Sequence, residues 1–134
     1  MARSRTLLVV DDDHEMLRAL ALSLGEAYEV LTAPTGGEAL VILAARRPRL
    51  MLLDMAMPGM SGLEVLAAAP DIVKAMTVLM LTGENDVELA KRALDLGAVE
   101  FITKPFDWAA LKEKVERCMG GAPEGPGRPW RVAG

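Results

Sequence analysis

An α/β domain built on one parallel sheet is what this sequence predicts, on three observations. The apolar runs Leu7 to Val10, Leu50 to Leu53 and Val78 to Leu81 are near-continuous rather than alternating, as strands buried on both faces are. Segments with helical periodicity lie between and after them, and regular strand–helix alternation gives right-handed crossovers and a doubly wound sheet. The length of 134 residues suits one ordinary domain and is short for two. With 51% hydrophobic and 25% charged residues, the chain can build a core and is not a disordered one.

The first strand, Leu7 to Val10, runs into Asp11, Asp12 and Asp13. Asp13 reads as the N-cap of a helix beginning at His14, with Leu17, Leu20, Ala21 and Leu24 on one face. A weaker strand fits Tyr28 to Thr32, and Ala39, Leu40, Leu43 and Ala44 mark the apolar face of a second helix. The third strand, Leu50 to Leu53, leads straight into Asp54. The helix after it is short: Gly62 to Ala69 is stopped by Pro70, and Asp71 to Met76 reads as irregular. The fourth strand, Val78 to Leu81, precedes Thr82. A fourth helix over Val87 to Leu96 carries a narrow stripe of Ala90, Ala93 and Leu94 and ends at Gly97. A fifth strand, Glu100 to Thr103, precedes Lys104 and Pro105, and a fifth helix carries Trp108, Leu111 and Val115 on one face. The order is therefore βα five times, within a domain over residues 1–119. Residues 120–134 hold five Gly and three Pro among fifteen, the composition of a tail or linker. Trp130, between Arg128 and Arg131, reads more simply as an incidental tail residue than as a docking element.

Charge and composition exclude several function classes. With 15 Lys plus Arg against 19 Asp plus Glu, the net charge of −4 leaves no basic footprint for direct nucleic-acid or membrane binding. One cysteine, Cys118, and one histidine, His14, cannot supply an internal disulfide or a soft-metal site, so a zinc protein is excluded. No apolar stretch is long enough for a signal peptide or a membrane span, so a cytoplasmic location is expected. Met51, Met55, Met57, Met60, Met76 and Met80 read as core filler and loop packing.

Chemistry is expected where ligands gather in doubly wound sheets, at the carboxyl ends of the strands. If the first and third strands are neighbours, Asp11, Asp12, Asp13 and Asp54 approach one edge. Two like charges about 4 Å apart repel by about 4 kcal/mol at an effective dielectric of about 20, so the cluster needs a compensating cation. Oxygen-only ligands select a hard metal, and a few carboxylates with water and phosphate oxygens suit octahedral Mg²⁺ better than a calcium cage. Helix capping accounts for Asp13 but explains too little for Asp11 and Asp12. Thr82 and Lys104 add a hydroxyl and an ammonium, and the set is that of a phosphoryl-transfer site. No GxxxxGK[ST] or GxGxxG loop is present, so nothing points to ATP as the donor.

In the segments Leu8-Val9-Val10-Asp11-Asp12, Leu52-Leu53-Asp54, Met57-Pro58-Gly59-Met60-Ser61-Gly62, Leu81-Thr82-Gly83 and Lys104-Pro105-Phe106, the chain resembles the receiver domain of two-component response regulators, over residues 5 to 119. The resemblance implies a flavodoxin-like (βα)5 fold with strand order 2-1-3-4-5. It implies Asp54 as phosphoacceptor and metal ligand, Asp12 as a direct Mg²⁺ ligand, Asp11 as a ligand through metal-bound water, and the Ala56 backbone carbonyl completing the protein ligands. Lys104 would neutralise the transferring phosphoryl group. Thr82 and Phe101 would then switch the face made by the fourth helix, fifth strand and fifth helix. On residues alone Phe101 reads as core, and His14 as a solvated first-turn residue.

The partners implied are a histidine kinase or phosphotransfer protein and a downstream protein target or effector domain, with a homodimer left open. The domain would catalyse only its own phosphorylation and dephosphorylation. Ala56 and Glu84 are expected to tune the lifetime of the phosphoryl group, and Gly83 to loosen access to it. No effector domain is legible after the receiver-like stretch, so a stand-alone regulator and the amino-terminal part of a longer one are both expected forms. Two further readings compete: a pseudo-receiver that binds partners without phosphate, and a metal-dependent phosphatase with Asp54 as nucleophile. The second lacks an acid/base carboxylate two residues on, where Ala56 stands.

Overall fold

The structure, a computed structural model, describes residues 5–120. The segment 121–134, with Trp130, lies outside the described residues. The chain runs β1 (Thr6–Val10), α1 (His14–Leu24), β2 (Glu29–Ala33), α2 (Gly36–Arg46), β3 (Leu50–Asp54), α3 (Gly62–Ala68), α4 (Pro70–Lys74), β4 (Thr77–Thr82), a 3-10 turn (Glu84–Asp86), α5 (Val87–Asp95), β5 (Glu100–Thr103) and α6 (Trp108–Cys118). All strand pairs are parallel and the sheet order is β2-β1-β3-β4-β5, as the resemblance implied.

β1 and β3 are buried throughout, which is why their sequences show no alternation: helices cover both faces. The pleat still divides them. Leu8, Val10, Met51, Leu53 and Met80 face the layer closed by α2, α3, α4 and α5, whereas Leu7, Val9, Leu52, Leu79 and Leu81 face α1 and α6. The helix starts follow their capping residues. The Asp13 carboxylate accepts from the N–H groups of Glu15 and Met16, Thr35 caps α2 and Asp107 caps α6. Ser61 and Glu64 form a reciprocal capping box on α3.

The third crossover differs from the expected irregular stretch. The helix does break, at Ala69 (φ −137°, ψ 57°), but Pro70 opens a second short helix, α4, at its first position. A proline there lacks only an N–H that would have had no helical partner. The fourth and fifth helices of the sequence are therefore α5 and α6. Three residues expected on apolar helix faces are exposed instead: Ala44, Leu94 and Trp108. Leu94 and Trp108 are each 39% exposed, and Trp108 meets Phe106 edge-on, at 5.2 Å between ring centroids. Tyr28 precedes β2 and lies under the Arg5 guanidinium, 4.9 Å from the ring centroid. Among the described residues no helix is long and apolar enough to cross a membrane.

Candidate functional site

β1 and β3 pair with Val10 opposite Leu53, so the residues that follow, Asp11 and Asp54, emerge side by side at one sheet edge. Both are buried, whereas Asp12 is exposed. One carboxylate oxygen from each of Asp11, Asp12 and Asp54 can be chosen so that all lie within 4.8 Å of one another.

Lys104 reaches the same point from the end of β5. Its Nζ donates to Asp11 Oδ2 at 2.9 Å and to Asp54 Oδ1 at 3.2 Å. Its backbone N–H donates to the Thr82 carbonyl at 2.7 Å, and the Lys104–Pro105 bond is cis. The other Asp11 oxygen, Oδ1, accepts from the Asp13 N–H at 3.0 Å, so Asp13 both starts α1 and orients its neighbour.

Burial pushes the Asp54 carboxyl up to about 6, and the Asp11 charge adds to the rise. The charge and hydrogen bond of Lys104 pull against it, with a smaller upward push from Asp12. For Lys104, burial disfavours the ammonium, but the hydrogen bonds and charges of Asp11 and Asp54 together outweigh it and the net shift is upward. Three carboxylates against one ammonium leave the site short of positive charge. An all-oxygen donor set of this kind fits a hard divalent cation, with Asp11, Asp12 and Asp54 as the residues to hold it.

The remaining sequence-predicted residues lie around this core. The buried Thr82 hydroxyl donates to the Gly83 carbonyl at 3.3 Å and is not bonded to the carboxylates. Ala56 is exposed on the loop leaving β3. Phe101, half-buried on β5, packs against the core layer beneath α2 to α5. The Glu84 side chain lies outside the described residues.

In the sequence Gly62 is only one letter of a motif, but in the fold it supports the site from behind. Its N–H donates to the Met55 carbonyl at 3.0 Å. A Cβ at this position would lie 2.6 Å from the Asp54 carbonyl oxygen and 3.2 Å from the Met55 Cα. Both obstacles are backbone, so Gly62→Ala must displace the end of β3. It is expected to cost about 1–3 kcal/mol, read as a lower midpoint in urea with an unchanged slope.

Comparison with known proteins supplies the family context. Residues 7–116 match the model of the response regulator receiver domain. The chain is 40% identical over 121 residues to the transcriptional regulatory protein KdpE of Mycobacterium tuberculosis, covering 87% of this chain and 53% of that protein. It is 32% identical over 114 residues to sporulation initiation phosphotransferase F of Bacillus subtilis, covering 84% and 92%. Among solved structures it is similar to the chemotaxis protein CheY4 of Vibrio cholerae, with a TM-score of 0.79 at 30% identity, covering 87% and 99%. The chain thus spans about half the length of KdpE and nearly the whole of the other two.

Proposed function

The chain belongs to the response regulator receiver domain family, and from that premise we propose that it is a cytoplasmic phosphorylation switch whose acceptor is Asp54. The observation that carries the reading is the buried Asp54 carboxylate sharing the Lys104 ammonium with Asp11, at 3.2 and 2.9 Å, beside an oxygen-only donor set.

Asp12, Asp54 and the Ala56 carbonyl, with Asp11 acting through water, would hold Mg²⁺, which supplies charge neutralisation for the phosphoryl oxygens when bound. At pH 7 Asp54 is mostly ionised even in the metal-free protein, since its pKa is about 6. Its Oδ attacks the phosphorus of a phosphohistidine on a histidine kinase or phosphotransfer protein. The P–N bond breaks, its electron pair returns to the partner's imidazole, and an aspartyl phosphate forms. Lys104, already in contact with Asp54, stays with the negative charge as it passes onto the phosphoryl oxygens. The Thr82 hydroxyl leaves the Gly83 carbonyl for one of those oxygens, and Phe101 moves inward into the space it vacates. That shift alters the face made by α5, β5 and α6, which a downstream protein or an attached effector domain reads. The chain acts only on its own aspartate. Small residues at Ala56 and Gly83 leave the acyl phosphate open to water and the unmodified Asp54 carboxylate open to small phosphodonors.

Intact mass after incubation with Mg²⁺ and acetyl phosphate or phosphoramidate tests the reading. The native chain is expected to gain one phosphoryl group and Asp54→Asn none; no gain with any donor would leave the phosphate-independent pseudo-receiver. A second test isolates the metal. At a hundredfold excess over its Kd, Mg²⁺ is expected to stabilise the native chain by about 2–3 kcal/mol, and Asp12→Ala to lose that response. An undiminished response in the variant would remove Asp12 from the ligand set.

A further inference from the structure

A cleft opens between the carboxyl end of α1 and the flank of α6. Ser23, Leu24, Ala27 and Tyr28 line one side, and Lys112 and Glu116 line the other, around an open volume of about 420 Å³. Arg5 does not line the cleft but fixes its wall: the guanidinium lies over the Tyr28 ring, 4.9 Å from the centroid, and donates to the Ala27 carbonyl at 3.3 Å. Leu24 is buried, whereas Lys112 and Glu116 are exposed, and among the described residues neither of the two makes a salt bridge. A buried leucine, an aromatic wall and one unpaired charge of each sign suit an aromatic side chain with a charged neighbour.

The chain itself carries such a group close by. Gly120, the last described residue, follows Glu116 by about 6 Å along the helix axis, and its left-handed φ of 85° turns the chain off that axis. Trp130 comes ten positions later, the one aromatic residue of the segment 121–134, with Arg128 before it and Arg131 after it. Ten residues reach up to about 33 Å when extended, ample for a return to a cleft one turn away. A short tether also holds its end at an effective concentration of about a millimolar, so an anchor of only about millimolar intrinsic affinity is bound about half the time.

We propose that the cleft between α1 and α6 is the docking site of the chain's own Trp130. The indole packs on Leu24, Ala27 and the Tyr28 ring, with the Lys112 ammonium against its open face. One of the flanking arginines pairs with Glu116, which sets the direction of the docked segment rather than its affinity. The cleft lies where α1 ends and β2 begins, at the amino edge of the sheet, whereas Asp54 lies at the carboxyl edge. Docking therefore does not depend on phosphorylation.

Tryptophan fluorescence of the full chain tests this, with Trp108→Phe in the background so that Trp130 is the only indole. Acrylamide is expected to quench Trp130 about twofold less effectively than it quenches a synthetic peptide of residues 121–134, because the bound half is shielded. Ala27→Lys, which fills the cleft and repels the arginines, and Glu116→Arg should each return quenching towards the peptide value. Both positions are exposed, and circular dichroism confirms that the fold is unchanged. Quenching equal to that of the peptide in the unsubstituted cleft overturns the proposal. Protection indifferent to both cleft variants overturns it in favour of another surface, and protection that fades on dilution overturns the intramolecular contact in favour of a second copy's cleft.

Discussion

Asp54→Asn is expected to stabilise the metal-free protein by about 2–3 kcal/mol at pH 8 and by almost nothing at pH 4. The reason is linkage. The Asp54 carboxyl has its pKa raised from 3.8 to about 6, burial being the largest cause and the Asp11 charge the next. A carboxyl that holds its proton more tightly when folded favours folding while protonated. That contribution is fully present below pH 4 and is lost as the pH rises through 6. Above that point the folded state contains an ionised group it would rather keep neutral, at about 1.4 kcal/mol for each tenfold difference in proton affinity between the folded and unfolded chains. Asparagine has the same shape and no charge, so it escapes the loss. Urea unfolding of both proteins from pH 4 to pH 8 checks this. An increment that did not grow between pH 4 and 6 would show that the charge of Asp54 is not what strains the site. With Mg²⁺ at about a hundredfold excess over its Kd the advantage of Asp54→Asn should shrink towards zero, because the native protein then gains about 2–3 kcal/mol from the metal contact of its Asp54 carboxylate.

Leu79→Ala is expected to cost about 3–4 kcal/mol, enough to lower the midpoint of thermal unfolding by more than about 10 °C in a domain of this size. Leu79 is fully buried in β4, inside the layer closed by α1 and α6, and β3 and β5 flank its strand on either side. Neighbours paired on both sides cannot collapse into the cavity, so its volume persists. Leu22→Ala on α1 is the control. It removes the same atoms from a side chain that is 72% exposed and should change stability by less than about 0.5 kcal/mol. Equal effects from the two would contradict the assigned core. Differential scanning calorimetry reads both.

Much of this molecule is legible in its sequence, for a local reason. A strand covered on both faces must be apolar at consecutive positions, so Leu7 to Val10, Leu50 to Leu53 and Val78 to Leu81 declare themselves. The polar residues that end those runs, Asp11, Asp54 and Thr82, mark the edge where chemistry belongs, and Asp13 announces the start of α1. What sequence alone does not decide is whatever depends on a distant neighbour. Periodicity says which face of a helix is apolar but not whether anything lies against it, so Ala44, Leu94 and Trp108 follow the apolar pattern and are nonetheless exposed. The break at Pro70 is visible, but that a new helix begins there depends on packing Val73 into the core. The contact of Lys104 with Asp11 and Asp54 joins residues 93 and 50 positions apart, and only the pairing of β1 with β3, and of β3 with β4 and β4 with β5, brings them together. The tight fit of Gly62 behind Asp54 and the Thr82 hydroxyl bound to its own chain rather than to the carboxylates have the same origin. Apolar patterning and capping act over a few residues and are written in the chain, whereas desolvation, close approach and the shared proton donor of the site arise only once the sheet has closed.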